Sequence, residues 1–394
     1  MRKLVLTLLM LTVSARAECA DWMSYFRFEW PEWLTWGQKA STNPVEDNWD
    51  KLTNKLGRTL ELRDKQETLP KSTWLPFTDN QKRNAERINA LLDDAVKILM
   101  NSEAHEIRKK AAELRDTLSK QRAELDSLRN DRITAPEKSS LFWVTTRAKV
   151  DEKIARLQEE TADTERRLSA TTEELSSALK EEGLELDPAQ TEVLLSTATG
   201  EDLMQNASVF ANVKAVTLKL EELSQNGTLE TTRRYTGIYL VLNDLLIHTQ
   251  EELIHKIDEE CKPKLNEIIT EAESLRKDAL ARSNQKDYTQ SQRKAFAANA
   301  RSNALTIQTA ELYGKLLDSQ KSGTLKTIKT LKLNRDLAEN TYKTVKGSSE
   351  LRGLIHGGLK VFDALNALTM PELRSFEAGA LRVEFEEISR RLKQ

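Results

Sequence analysis

The chain has 394 residues, of which 31% are charged and 39% hydrophobic, with only 13 glycines and 8 prolines. This is the composition of long amphipathic helices rather than of a sheet protein, and the regular apolar spacing described below argues against disorder. The formal net charge of -2, made more negative by loss of Arg2, Lys3 and Arg16, is too small to imply a polyanionic partner.

Residues 1–17 read as a secretory signal: Arg2 and Lys3, an apolar run from Leu4 to Val13, and small residues at Ala15 and Ala17. Cleavage after Ala17 begins the mature chain at Glu18 and makes the protein periplasmic or secreted. No later stretch approaches the ~20 apolar residues of a membrane span. Cys19 and Cys261 are the only cysteines. In an oxidising compartment they are a candidate disulfide, set against two free thiols or an intermolecular bond.

Residues 18–77 form a Trp/Pro-rich arm. Trp30, Trp33 and Trp36 follow or flank Pro31, and a further helix is expected from about Val45 to Glu67. Indoles bury a large area with one polar atom to satisfy, so these rings suit docking on the bundle, a partner protein or a lipid interface.

Residues 78–183 carry the clearest pattern. Thr78 or Asp79 is the expected cap of a helix bearing Ile88, Leu91, Leu92, Ala95, Ile98 and Leu99. From 101 to 182 there is no glycine and one proline, Pro136. Ala111, Leu114, Leu118, Leu125 and Leu128 lie at heptad spacing before it; Val150, Ile154, Leu157, Leu168 and Leu175 do so after it. The two sets mirror each other about Ser139, pairing Leu125 with Ile154 and Ala111 with Leu168. An antiparallel helical hairpin requires that mirror. At its apex stand Leu141, Phe142, Trp143 and Val144, an apolar run that would form an exposed patch unless it folded back over the coil.

Residues 184–347 read as a helical bundle. Asp187-Pro188 opens a helix and Gly200 closes it; the next runs from about Asp202 to Gln225, with Leu203, Val209, Phe210, Val213, Val216, Leu220 and Leu223 as core. Beyond Asn226-Gly227-Thr228, Ile238 to Ile247 is apolar around most of its circumference and belongs at the centre. Pro263 kinks or interrupts that helix. Further helices are expected at roughly 264 to 283, 290 to 321 and 324 to 346. Residues 348–394 form C-terminal amphipathic helices. There the spacing of Gly353 and Gly357 suggests a tightly packed contact, and Pro371 opens the last helix.

Function is less legible. His248, Glu252, His255 and Glu259 align on one helical face with E-x-x-H spacing, but no second copy supplies the facing ligands of a bundle metal site, and both histidines are expected to point outward. Fifteen basic and six acidic residues lie between Arg276 and Lys346, against three basic and thirteen acidic from Gln158 to Asp202. The favoured reading pairs those segments internally. Nucleic acid is disfavoured because the basic stretch has only Tyr288, Phe296, Tyr313 and Tyr342 as aromatics. No phosphate loop, nucleophile elbow or zinc helix occurs, and no cofactor or metal is expected. The chain thus reads as an all-α protein, an elongated helical bundle with a projecting antiparallel coiled-coil hairpin. Its expected role is that of an exported non-enzymatic scaffold or adaptor contacting an envelope or extracellular protein through Leu141, Phe142, Trp143, Trp30, Trp33 and Trp36. Peripheral membrane contact and homo-oligomerisation are further partner options; a secreted membrane-active or pore-forming helical protein is the alternative, with a metal-dependent helical-bundle enzyme ranked below it.

Overall fold

A computed structural model describes residues 48–72, 79–100, 103–137, 145–181, 186, 188–225, 227–369 and 379–393. Among these there are helices and no strand, so the fold is all-α. The helices are α1 (Trp49–Gln66), α2 (Gln81–Leu99), α3 (Glu103–Thr134), α4 (Arg147–Glu181), α5 (Pro188–Ser196), α6 (Gly200–Ser224), α7 (Leu229–His255), a π turn (Lys256–Cys261), α8 (Lys262–Ser283), α9 (Gln290–Thr344), α10 (Ser348–Thr369) and α11 (Gly379–Lys393).

Local chemistry explains the boundaries, including several that differ from expectation. Asn80, not Thr78 or Asp79, caps α2 by accepting from the Arg83 N–H at 2.9 Å. Asp79 is instead engaged with Arg87 at 2.9 Å. Gly200 begins α6 rather than closing α5. The turn between them folds so tightly that a Cβ at Gly200 would fall 1.7 Å from the Leu194 carbonyl oxygen. Pro263 marks the expected interruption, which takes the form of a π turn after α7 rather than a sharp break. It occupies the first turn of α8, and the wider π turn just before it absorbs the hydrogen bond that proline cannot donate. Helix α9 runs unbroken for 55 residues, about 80 Å, through the point near Gly323 where a break was expected. A capping box at Thr289 and Gln292 starts it, and Gly323 is itself buried, so tertiary packing overrides its low propensity.

Burial resolves into two apolar cores. One gathers Leu52, Leu56 and Leu60 of α1, Leu92 and Leu99 of α2, Phe210 and Val213 of α6, Ile238 to Ile247 of α7, Leu331 of α9, and Leu351, Ile355 and Phe362 of α10. The other gathers the bases of α3 and α4 with α5, the start of α6, the π turn, α8, the middle of α9 and α11. Helices α6, α7 and α9 therefore contribute to both, while α2 belongs to the first. The stretch Ile238–Ile247 is central as expected, its apolar residues at most 6% exposed. Leu223 is not core but 39% exposed at the fraying end of α6. Cys261 is buried in the second core, where burial raises its thiol pKa; Cys19 lies outside the described residues.

Between the cores lies a buried polar layer. Asn206, Gln250, Gln320, Thr324 and Thr327 are each at most 4% exposed. Both amide atoms of Gln250, the amide nitrogens of Asn206 and Gln320, and the hydroxyls of Thr324 and Thr327 have no hydrogen-bond partner among the described residues.

Candidate functional site

Helices α3 and α4 lie against each other in antiparallel fashion. Lys110 reaches Glu174 at 3.7 Å and Arg122 reaches Glu165 at 3.0 Å; Arg132 and Asp151 form a further pair near the far end. The Arg147 N–H donates to the Pro136 carbonyl at 2.9 Å, so the exit of α3 and the entry of α4 are adjacent. Buried between them are Ala104, Ile107, Ala111, Leu114, Leu118 and Leu125 on α3, and Val150, Leu157, Thr161, Thr164, Thr171 and Leu175 on α4, whereas the expected seam residues Leu128, Ile154 and Leu168 are half-buried.

Near its base this pair is fastened to the body. Arg108 approaches Glu201 at 3.5 Å, and Arg115 donates to the Glu192 carbonyl at 3.2 Å and lies 3.8 Å from Glu386. Burial lowers the Arg115 pKa, against the opposing pull of Glu386 and Glu192. Farther out, Leu118, Leu125, Val150 and Leu157 are buried yet belong to neither core. From Ala111, the last α3 residue in the second core, to Thr134 the helix extends about 35 Å. Leu141, Phe142 and Trp143, and the arm residues Trp30, Trp33 and Trp36, lie outside the described residues. The structure therefore places the base of the expected binding tip but not its apolar side chains.

A second feature was not anticipated. A cleft of about 180 Å³ opens where α2, α6 and α7 meet beside the polar layer. His248, expected to point outward, is only 11% exposed, because its Nε2 lies 2.7 Å from Asp93 of α2. Lys256 of the π turn holds Asp202 of α6 at 2.7 Å. Burial works to lower the Lys256 pKa, but the charge and hydrogen bond of Asp202 more than offset it. His255 and Glu252 are exposed at the rim. No group of three or more metal-ligating side chains suited to an ion occurs among the described residues. The E-x-x-H spacing could flag this helix, but not the partners on α2 and α6 that close the cleft.

The expected pairing of the basic and acidic segments does not occur among the described residues. Basic residues of α9 go instead to nearby acids: Lys321 to Asp258 at 2.5 Å and Lys332 to Glu251 at 2.9 Å. The acidic segment pairs with α3, the π turn and α11, as Glu165 does with Arg122, Asp202 with Lys256, and Glu192 with Arg382. The pairs that form run to helices packed directly against each segment or stay within one helix, as Lys343 does with Glu339 and Arg166 with Asp163. No helix among the described residues is long and apolar enough to cross a membrane. No family model, curated protein or solved structure matches the chain.

Proposed function

We propose that the protein is an exported scaffold or adaptor that acts through the far end of the α3–α4 pair. The carrying observation is the burial of Leu118, Leu125, Val150 and Leu157 outside both cores. Two helices that cover only each other's seam form an arm, and in sequence Leu141-Phe142-Trp143-Val144 lie between those two helices. An apolar run joining the far ends of such an arm would suit a partner's pocket, where aromatic anchors carry much of the binding energy. The leader-like residues 1–17 support a site of action beyond the membrane, and Trp30, Trp33 and Trp36 offer a second contact.

The test uses photo-crosslinking residues at Phe142 and Trp143, with a control at exposed Leu333 of α9. Discrete adducts to one envelope protein from the tip, absent at Leu333, are the expected result. Replacing Leu141, Phe142 and Trp143 together with serine should abolish the adduct formed from Val144 while leaving helix content and melting nearly unchanged. A large fall in melting temperature would assign the three residues to the arm's own packing instead. Leakage and flotation assays with liposomes separate this reading from a membrane-active one. For the latter, Ile238–Ile247 would have to leave the centre of the first core.

A further inference from the structure

We propose that the far end of the α8–α9 pair lies against an anionic phospholipid surface. It depends on none of the features of the α3–α4 arm.

Alanines set the geometry of this end. The outermost buried members of the second core on these helices are Ile268 of α8 and Ala310 of α9. Beyond them Ala272, Ala279, Ala300 and Ile307 are buried yet belong to neither core. The two helices therefore project together, about 22 Å from Ile268 to Ser283. A seam built mostly of methyl groups lets the helices close up and leaves larger side chains outside it. Leu275 is accordingly 51% exposed and Leu280 44%.

Charge supplies the second, independent observation. Residues 274–301 hold seven basic and two acidic residues, a local charge of +5 in a chain of net charge -2. All seven bases are exposed. Arg282 is held by Asp278 at 2.8 Å, but Arg276, Lys277, Lys286, Arg293, Lys294 and Arg301 form no ion pair among the described residues. The other projecting pair is built differently: residues 112–168 carry twelve bases and twelve acids, several of them paired, as Arg122 is with Glu165. Uncompensated cations thus crowd at the α8–α9 end, where they repel one another until an anionic surface relieves them.

The exposed leucines among those cations favour a bilayer over other polyanions. Basic side chains meet the headgroups of anionic lipid while neighbouring apolar ones enter the acyl boundary. Nucleic acid calls for open aromatic faces. Here Tyr288 and Phe296 pack edge to face at 4.9 Å, and Arg282 covers the Phe296 ring at 5.8 Å.

Vesicle flotation with the full mature chain tests it. Vesicles of phosphatidylcholine mixed with phosphatidylglycerol should carry the protein upward, and vesicles of phosphatidylcholine alone should not. Salt at about 1 M, which shortens the screening length to about 3 Å, should release it. Arg276→Gln, Lys277→Gln and Lys294→Gln combined should weaken partitioning about a hundredfold, at about fivefold for each charge. The same loss of charge at exposed Lys109, Lys326 and Lys329 should leave it nearly unchanged, and the melting temperature should hold in both triple variants. Dye trapped in the vesicles should stay inside, which separates contact from insertion. Absence of flotation with anionic vesicles, equal losses in the two triple variants, dye release, or tighter binding to single-stranded DNA than to the vesicles would each overturn the proposal.

Discussion

Neighbouring glycines on α10 meet opposite surroundings. A Cβ at Gly358 would fall 1.7 Å from the hydroxyl of Tyr239, whereas one at Gly357 meets nothing within 4 Å. Tyr239 cannot easily retreat, being fully buried and hydrogen-bonded by Asn334 at 2.9 Å. Gly358→Ala should therefore destabilise by about 1 to 3 kcal/mol in denaturant titration. Gly357→Ala should stabilise by up to about 1 kcal/mol. The sequence points to a tight contact through Gly353 and Gly357, but both are exposed and a Cβ added at either would meet no other side chain or helix within 4 Å. Spacing reveals a small-residue face without saying which way it turns, and one residue rotates the helix by about 100°. Arg63 shows the same limit for charges. Its guanidinium joins Asp244 and, at 2.9 Å, Glu339. Burial pushes the Asp244 pKa up while Arg63 pulls it down. Arg63→Met should cost about 2 kcal/mol, largely recovered in the double variant with Asp244→Leu. A residual loss in that double variant close to the sum of the singles would show that the pair is not coupled.

Heptads made the α3–α4 pair visible as an element because each apolar residue repeats on schedule. Thr161, Thr164 and Thr171 fill seam positions too, at 8% exposure or less, and escaped the apolar count. They tolerate the seam because their hydroxyls find nearby carbonyls, as Thr161 does with Leu157 at 2.6 Å and Thr164 with Glu160 at 2.9 Å. Spin labels at Leu118 and Thr161 should give short, narrow distances in the monomer; separations of tens of ångströms would remove the arm. The length of α9 was not legible, since Gly323 reads locally as a break and is overridden only by helices distant in sequence. The interior polar layer makes a further prediction at this scale. Thr324 and Thr327 bury hydroxyls that find no partner among the described residues. Thr324→Val and Thr327→Val should each raise stability by about 1 kcal/mol, seen as a higher melting midpoint. A drop instead would mean that the hydroxyls are satisfied in solution.

Across the whole molecule, carboxylates clamped by lysines set the response to acid. The hydrogen bond from Lys321, aided by the charges of Lys321 and Lys262, holds the Asp258 carboxyl below its ordinary pKa against a smaller opposing effect of burial. Lys343 likewise lowers that of Glu339. A carboxyl whose pKa is lowered by folding stabilises fully above its unfolded value, about 4, and loses that contribution as pH falls through the native one. Melting temperature should therefore fall below about pH 4, and Asp258→Asn should flatten that acid limb. An unchanged limb would show that other groups govern it. Helix content and the central apolar stretch were legible at this scale because both repeat locally. The cleft was not, because Asp93, Asp202 and Glu252 are far apart in sequence and meet only when α2, α6 and α7 pack.

Helix α9 threads both cores without interruption. Neither half can melt by itself without severing a rod common to both, and opening the helix mid-length exposes backbone on each side. Calorimetry should accordingly record one endotherm, with equal van't Hoff and calorimetric heats, for the entire body. Anything that binds only the folded body would then lift that single peak rather than split it, so an event at one address would be felt at every other.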